Sequence, residues 1–188
     1  RRGVLGLTRP ALSVKVSLTM LDDFPTPEEV VDSDLAQEPA DAHQDSDEDQ
    51  ADRLERCERR IGYVFHDKEL LREALTHASG AEHRLASNER LEFLGDAILG
   101  AVVCELLFHR YPEYLEGDLT KVKSAVVSRQ SCAKISEALG LQEFLIVGKG
   151  VARSSSMPAS LLADVFESLV AAIYLDSGYE TCRAVVLP

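Results

Sequence analysis

The sequence contains no run of eighteen consecutive apolar residues, although 45% of its 188 residues are hydrophobic. A membrane-spanning helix needs about 20 predominantly apolar residues, so no membrane segment is expected. The alternation of apolar and polar residues that marks half-buried strands is also missing, as is any internal repeat. These absences predict a single all-α domain of ordinary size with an attached tail.

Cysteine is scarce and shows no metal-binding pattern. Cys57, Cys104, Cys132 and Cys182 are widely spaced, with neither a Cys-x-x-Cys pair nor a Cys/His pair at zinc spacing. This spacing indicates reduced, mostly buried thiols in a protein of a reducing compartment. We therefore expect a cytoplasmic location.

Charge of one sign is missing from each of two consecutive segments. Residues 1–20 hold four basic groups and no acidic group, whereas residues 21–52 hold thirteen acidic groups and no basic group. A segment as polar as 21–52 cannot bury enough apolar surface to fold, so residues 1–52 are predicted to be a disordered tail, basic and then acidic. The basic start is a weak match to a transit peptide, and Met20 is the expected initiator.

Residues 53–188 are predicted to form the folded domain, which is nearly neutral, with sixteen basic and nineteen acidic groups. The net charge of −12 therefore lies mainly in the tail and does not exclude a nucleic-acid partner. Apolar residues at helical spacing predict the helices, with Asp67 and Asn88 as N-caps. The expected helical ranges are 53–63, 67–79, 89–110, 119–139 and 159–175, with a last helix from Glu180.

The helix after Asn88 carries a line of carboxylates on an otherwise apolar segment. Glu89, Glu92 and Asp96 share one face at 100° per residue. Buried ionised carboxylates are costly unless a positive charge meets them, and a divalent cation is the expected one. A solvated acidic face is the alternative. Gly95 costs about 1 kcal/mol in a helix interior, which indicates a packing reason for it.

A second acidic pair, Asp164 and Glu167, shares a face of the nearly all-apolar helix 160–175. If the two acidic helices pack together, four carboxylates converge into a hard oxygen site for Mg²⁺ or Mn²⁺. Zinc is disfavoured because no His or Cys lies on either acidic face. Carboxylate-held Mg²⁺ suits phosphodiester hydrolysis. A structural metal is an alternative, and a di-iron site is disfavoured because Glu-x-x-His is absent.

The block Asn88 to Gly100, of sequence NERLEFLGDAILG, resembles the signature of the ribonuclease III family. Similar blocks lie in order along residues 54–187, and the resemblance is strongest to the bacterial members of the family. These blocks are GYVF, ALTHAS, EGDLT, LADVFESL and YLDSG, starting at Gly62, Ala74, Glu116, Leu162 and Tyr174.

The resemblance implies an all-helical, homodimeric endonuclease domain that cleaves double-stranded RNA to 5′-phosphate and 3′-hydroxyl ends. Processing of ribosomal RNA precursors and messenger RNA is the implied role. Glu92, Asp164 and Glu167 would be Mg²⁺ ligands, with Mn²⁺ as a substitute. Asp96 would join this metal set or orient an attacking water, and Asp96 and Glu167 would be the catalytic pair.

Further residues match positions of the family with less specificity. Phe93 matches an apolar knob inserted into the partner subunit, although a core phenylalanine fits the sequence equally. Glu89 and Glu116 match acids near the dimer interface and the RNA cleft, with ordinary surface acids as the alternative. Three basic residues are candidate phosphate contacts or scattered surface charge: Lys121, Lys123 and Arg129.

One departure from the family concerns the end of the chain. Bacterial members carry a double-stranded-RNA-binding domain after the nuclease domain, and this chain stops at Pro188, inside the expected last helix. We expect a truncated standard enzyme. A short relative that naturally lacks the RNA-binding domain, and a catalytically silent scaffold that binds RNA or a ribosome, are the alternatives.

Overall fold

The structure is a computed structural model that describes residues 47–152 and 157–187. The tail predicted for residues 1–52 therefore lies, up to residue 46, outside the described residues. Seven α-helices follow one another along the described chain, and the predicted all-α fold is confirmed. They are α1 (Asp47–Ile61), α2 (Lys68–Leu75), α3 (Glu89–Arg110), α4 (Glu116–Val126), α5 (Arg129–Leu139), α6 (Lys149–Ala152) and α7 (Ala159–Val186).

Helices α3 and α7 form the centre of the domain, and α2 and α5 cover α7. The first half of α7 is buried nearly all round, as its apolar sequence predicts, while α3 buries the side that holds Leu91, Leu99 and Val103. Removing these apolar side chains from water is the main stabilising contribution to the core. The arrangement places the acidic positions of α3 beside those of α7.

Gly95 allows α3 and α7 to approach closely. A Cβ atom at this position would lie only 1.8 Å from the backbone oxygen of Glu167. No side chain fits in that space, so the predicted packing reason for this glycine is confirmed. The contact brings the backbones of the two acid-bearing helices together at the level of Glu92 and Glu167.

The predicted caps are confirmed at Asp67 and corrected at Asn88. The Asp67 carboxylate accepts a hydrogen bond from Glu69 N at 2.9 Å, as an N-cap does. Asn88 precedes α3 but makes no side-chain cap bond. It is buried instead, and its backbone N donates to Thr76 O at 2.8 Å while its backbone O accepts from Ser168 Oγ at 3.2 Å. Asn88 therefore ties α3 to two neighbouring segments.

Two predicted helix boundaries are wrong because other interactions act at the ends. Helix α1 begins at Asp47 and not at Arg53, so the expected domain boundary falls inside a helix. Acidic residues in a first turn interact favourably with the helix dipole, which explains the earlier start. Helix α2 ends at Leu75 and not at 79, because Thr76 forms an isolated parallel bridge with Ile146.

The predicted helix 119–139 is two helices. Helix α4 ends at Val126, and the hydroxyl of Ser128 caps α5 by accepting from Ser131 N at 3.2 Å. Arg129 therefore lies on a different helix from Lys121 and Lys123. The predicted break between residue 175 and Glu180 is confirmed as a kink inside α7 at Gly178, which has φ of 79°.

The four cysteines are unpaired, and three of them are buried, as expected; Cys104 is exposed. Within the described part of the chain, no helix has the combination of length and apolar character needed to cross a bilayer.

Candidate metal centre

Three carboxylates converge where α3 crosses α7. One oxygen each from Glu92, Asp164 and Glu167 can be chosen so that all three atoms lie within 4.8 Å of one another. Glu92 comes from the first turn of α3, and the other two lie one turn apart on α7. All three side chains are half-buried. The predicted convergence of acids from two apolar helices is thus observed for these three residues.

Burial and mutual repulsion act on these carboxylates in the same direction. Burial raises the pKa of Asp164, and burial together with the charge of Asp164 raises the pKa of Glu92. Burial and the charges of Asp96, Glu92 and Asp164 raise the pKa of Glu167 to about 7. The centre therefore disfavours three simultaneous negative charges in the absence of a counter-ion.

Asp96 lies at the rim of this centre. It is exposed and is outside the group of three convergent oxygens. Its charge nevertheless raises the pKa of Glu167, second only to burial, so the two carboxylates are neighbours. The expected set of four acids is therefore three convergent carboxylates with a fourth on the solvent side.

Two residues of α5 border the acidic centre in a way that sequence analysis missed. The positive charge of Arg129 lowers the pKa of Glu92, Asp164 and Glu167, so the chain supplies a cation of its own. The thiol of Cys132 is buried, and burial followed by the charge of Glu167 raises its pKa to about 12. The sequence indicated Arg129 only as a phosphate contact and Cys132 only as a buried thiol, because α5 meets the centre through tertiary packing.

The other predicted residues lie away from the three convergent oxygens. Glu89 pairs with Arg84 through bonds of 2.8 and 3.0 Å, and the pairing lowers the pKa of Glu89. Glu116 is exposed and accepts a hydrogen bond from Thr120 Oγ1 at 2.8 Å. Neither acid is among the three whose oxygens converge.

The predicted basic contacts and Phe93 lie on the surface. Lys121 is exposed, 3.9 Å from Asp118, and Lys123 lies beside Gly100 on α3. Phe93 is 83% exposed, so the core interpretation of this residue is wrong.

The donor set fits a hard divalent cation. Carboxylate oxygens are the ligands that Mg²⁺ and Mn²⁺ accept, and a bound cation would offset the repulsion among them. Asp164 Oδ1 is buried without a hydrogen-bond partner in the described part of the chain. A buried carboxylate oxygen without a donor is costly, and a cation would satisfy it.

A model of the ribonuclease-III-like family matches residues 67–188. The chain belongs to this family. It is 64% identical over 131 residues to ribonuclease 3 of Rhodopirellula baltica, covering 70% of this chain and 49% of that protein. It is 47% identical over 133 residues to ribonuclease 3 of Symbiobacterium thermophilum, covering 70% and 57%. The chain thus spans about half the length of the curated relatives it matches.

Solved structures confirm the ribonuclease III fold. The nuclease domain of ribonuclease III from Campylobacter jejuni matches with a TM-score of 0.67 and 40% identity, covering 70% of this chain and 92% of that one. That structure is described as having flexibility in a region involved in dimer formation. Dicer from Giardia, with a TM-score of 0.57 and 22% identity, shares the fold. The resemblance inferred from the sequence blocks is therefore confirmed.

Proposed function

We propose that this ribonuclease III relative is a divalent-cation-dependent endoribonuclease that hydrolyses double-stranded RNA to 5′-phosphate and 3′-hydroxyl ends. The observation that carries the proposal is the convergence of Glu92, Asp164 and Glu167 within 4.8 Å at the crossing of α3 and α7. Residues 47–187 are the proposed nuclease domain. Processing of ribosomal RNA precursors and messenger RNA in the cytoplasm is the proposed role.

The convergent acids would hold the cation, with Mg²⁺ as the first choice and Mn²⁺ as a substitute. When bound, such an ion polarises a phosphoryl oxygen and makes a bound water more acidic. Asp96, exposed beside Glu167, would orient the attacking water by accepting a hydrogen bond from it. Glu167 would be the other member of the catalytic pair, and a bound cation would keep it ionised by offsetting the repulsion that otherwise raises its pKa.

Basic residues near the centre would hold the RNA backbone. Arg129 is the candidate whose charge lowers the pKa of all three acids. Lys121 and Lys123 lie on the adjacent α4. Contacts of this kind read the shape and phosphates of an A-form duplex more than its sequence. Glu89 and Glu116 would line the edges of the RNA cleft and the dimer interface.

An exposed apolar stripe on α3 supports the proposed homodimer. Phe93, Ala97, Ala101, Cys104 and Phe108 are all exposed and lie within about 80° of one another around the helix. The stripe runs about 22 Å along the helix axis. Apolar patches of this length usually mark interaction surfaces, and a second copy of the chain is the proposed occupant. Two centres related by a two-fold axis would each cut one strand.

Cleavage of a long RNA duplex in the presence of Mg²⁺ tests the proposed activity. We expect the wild-type chain to cut the duplex, and Glu167→Gln to cut at least about a hundredfold more slowly, because loss of an acid–base group typically costs that much. Glu137→Gln is the matched control, since Glu137 is an exposed glutamate of α5. If the wild type cuts the duplex no faster than Glu167→Gln, the alternative of a catalytically silent scaffold that binds RNA or a ribosome would be favoured.

Thermal unfolding gives a second readout that needs no substrate. Added Mn²⁺ should raise the midpoint temperature of the wild type and of Glu137→Gln, because a ligand that binds only the folded chain stabilises it. The shift should be reduced in Glu167→Gln and reversed by a chelator. An unchanged midpoint of the wild type at saturating Mn²⁺ would count against a cation site.

A further inference from the structure

We propose that His77 is a positioning residue of the acidic centre, holding its Nε2–H group toward Asp164 and so orienting that carboxylate. This inference rests on the proposed function, because it gives the imidazole a part in assembling the same centre. His77 follows α2, in the segment that the sequence placed inside a longer helix.

The hydrogen bonds of the imidazole fix which nitrogen carries the proton. Ser79 N donates to His77 Nδ1 at 3.1 Å, so Nδ1 is an acceptor and has no proton. Ser79 Oγ lies 2.8 Å from the same nitrogen and accepts a bond from Gly148 N at 3.1 Å, which leaves its hydroxyl proton for Nδ1. The neutral ring must then carry its proton on Nε2. Burial lowers the pKa of His77, which favours this neutral form.

The backbone around His77 is held by a close contact between two segments. His77 N donates to Ile146 O at 3.0 Å. Cβ atoms added at Gly80 and Gly148 would lie 2.7 Å from Ile146 O and 2.4 Å from Ser79 O, respectively. Side chains at these glycines would therefore force the segments apart. The imidazole is therefore attached to a backbone held by close contacts and hydrogen bonds.

The same support is tied to the two helices that carry the acids. Thr76 O accepts from Asn88 N at 2.8 Å, next to the start of α3. Ser168 Oγ of α7 donates to Asn88 O at 3.2 Å and to Asp164 O at 2.7 Å. His77 and the backbone of Asp164 thus belong to one connected set of hydrogen bonds.

The groups that act electrostatically on the imidazole are carboxylates. The charges that act on His77 are those of Asp164 and Glu89, and only a protonated His77 would lower the pKa of both carboxyls in return. Glu89 is already paired with Arg84, whereas Asp164 Oδ1 is buried without a partner in the described residues. No protein acceptor for Nε2 lies among those residues either. His77 therefore has an unused donor, and Asp164 Oδ1 has lone pairs for both this donor and a cation.

Fixed donors beside metal ligands orient the ligands, and their loss typically weakens metal binding or activity about 10-fold to 100-fold. Two amide substitutions separate the functions of the two ring nitrogens. In His77→Gln, the amide nitrogen can replace Nε2 as a donor, but nothing replaces Nδ1. In His77→Asn, the amide oxygen can replace Nδ1 as the acceptor from Ser79, but the Nε2 donor is lost.

The experiment measures Mn²⁺ binding to the full chain by calorimetry, together with kcat and KM on an RNA duplex. We expect His77→Asn to bind Mn²⁺ about tenfold more weakly with a lower kcat and a nearly unchanged KM, whereas His77→Gln stays within about threefold of the wild type. If His77→Asn does not fold, His77→Phe, which lacks both nitrogens, is compared with His77→Gln, which lacks only the Nδ1 acceptor, so that the difference between them isolates the Nε2 donor.

The outcomes separate this inference from the proposed function. Equal Mn²⁺ affinity and kcat in the wild type, His77→Asn and His77→Gln would overturn the role of the Nε2 donor while leaving the cation site in place. A defect confined to His77→Gln would overturn it too, because only the support through Nδ1 would then matter. A wild type that neither binds Mn²⁺ nor cuts RNA would overturn both.

Discussion

Asp176 links two distant parts of the chain through a single carboxylate. Its side chain is 2% exposed and accepts hydrogen bonds from the backbone N of His66 and of Asp67, each at 2.9 Å. The Tyr63 hydroxyl donates to it at 2.5 Å. These donors hold the pKa of Asp176 well below its usual range. The ionised carboxylate therefore attaches the segment before α2 to the kinked part of α7.

Replacing Asp176 by Asn should make the stability of the domain less dependent on pH. Because the folded pKa of Asp176 is depressed, its contribution is full above the unfolded value of about 3.9 and is lost as pH falls below it. We expect Asp176→Asn to lower the free energy of unfolding at pH 7 by about 2 kcal/mol. Urea denaturation at a series of pH values from 7 to 3 measures the difference in free energy of unfolding between Asp176→Asn and the wild type. This difference should become smaller below about pH 4.

The exposed Asp118 is the control for this measurement, since Asp118→Asn should change stability by no more than about 0.5 kcal/mol. If Asp176→Asn and the wild type differ in free energy of unfolding as much at pH 3 as at pH 7, the charge of this carboxylate does not stabilise the fold.

At the scale of elements, the crossing of α3 and α7 positions the candidate centre. Gly95 is the residue of closest approach, and the adjacent turns carry Glu92 and Asp96 on one helix and Glu167 on the other. A separation of the helices by even 1 Å would change the distances among their carboxylates by a similar amount. The packing of apolar helices and the geometry of the acids are therefore coupled.

Gly95→Ala should destabilise the domain and weaken the cation site together. The new methyl group would meet Glu167 O at 1.8 Å, and overpacking of a core typically costs about 1–3 kcal/mol. Helix propensity alone would predict the opposite sign, a gain of about 1 kcal/mol. Denaturant unfolding and Mn²⁺ titration of the same sample measure both effects.

Gly117→Ala provides the matched control, because nothing lies within 4 Å of a Cβ atom at that position of α4. It should leave Mn²⁺ binding unchanged and the stability equal or slightly higher. A Gly95→Ala variant that is as stable as Gly117→Ala would contradict the close crossing of α3 and α7.

At the scale of the whole molecule, the stripe on α3 predicts the oligomeric state. The chain has a mass of 20.6 kDa, and we expect sedimentation to give about twice this mass. Phe93→Ser should shift the equilibrium toward monomer, because truncating an aromatic anchor typically costs about 2 kcal/mol or more of binding energy. The change in dissociation constant would then be about thirtyfold.

Leu175→Ser is the control for the dimer experiment, since Leu175 is an exposed apolar residue of α7 outside the stripe. It should sediment like the wild type. Equal masses for wild type and Phe93→Ser at all concentrations would remove the support that the stripe gives to the homodimer.

Most helices could be predicted from the sequence because their signals are local. The local signals include the spacing of apolar residues along α3 and α7 and the cap at Asp67. They also include Gly140, which ends α5 in a left-handed conformation, and Gly178, which kinks α7. The wrong boundaries had non-local causes. Helix α2 ends early because Thr76 pairs with Ile146, seventy positions away, and no local pattern encodes that pairing.

The sequence by itself determined the family, the all-α class and the acids that share a face of each helix, because periodicity fixes neighbours along one element. Only the tertiary structure decided which acids converge, since that depends on the depth at which α7 meets Gly95. It alone brought Arg129, Cys132 and His77 to the centre, because packing between elements leaves no periodic signal in the chain. It also placed Phe93 in solvent, where a surface and a core phenylalanine have the same sequence pattern.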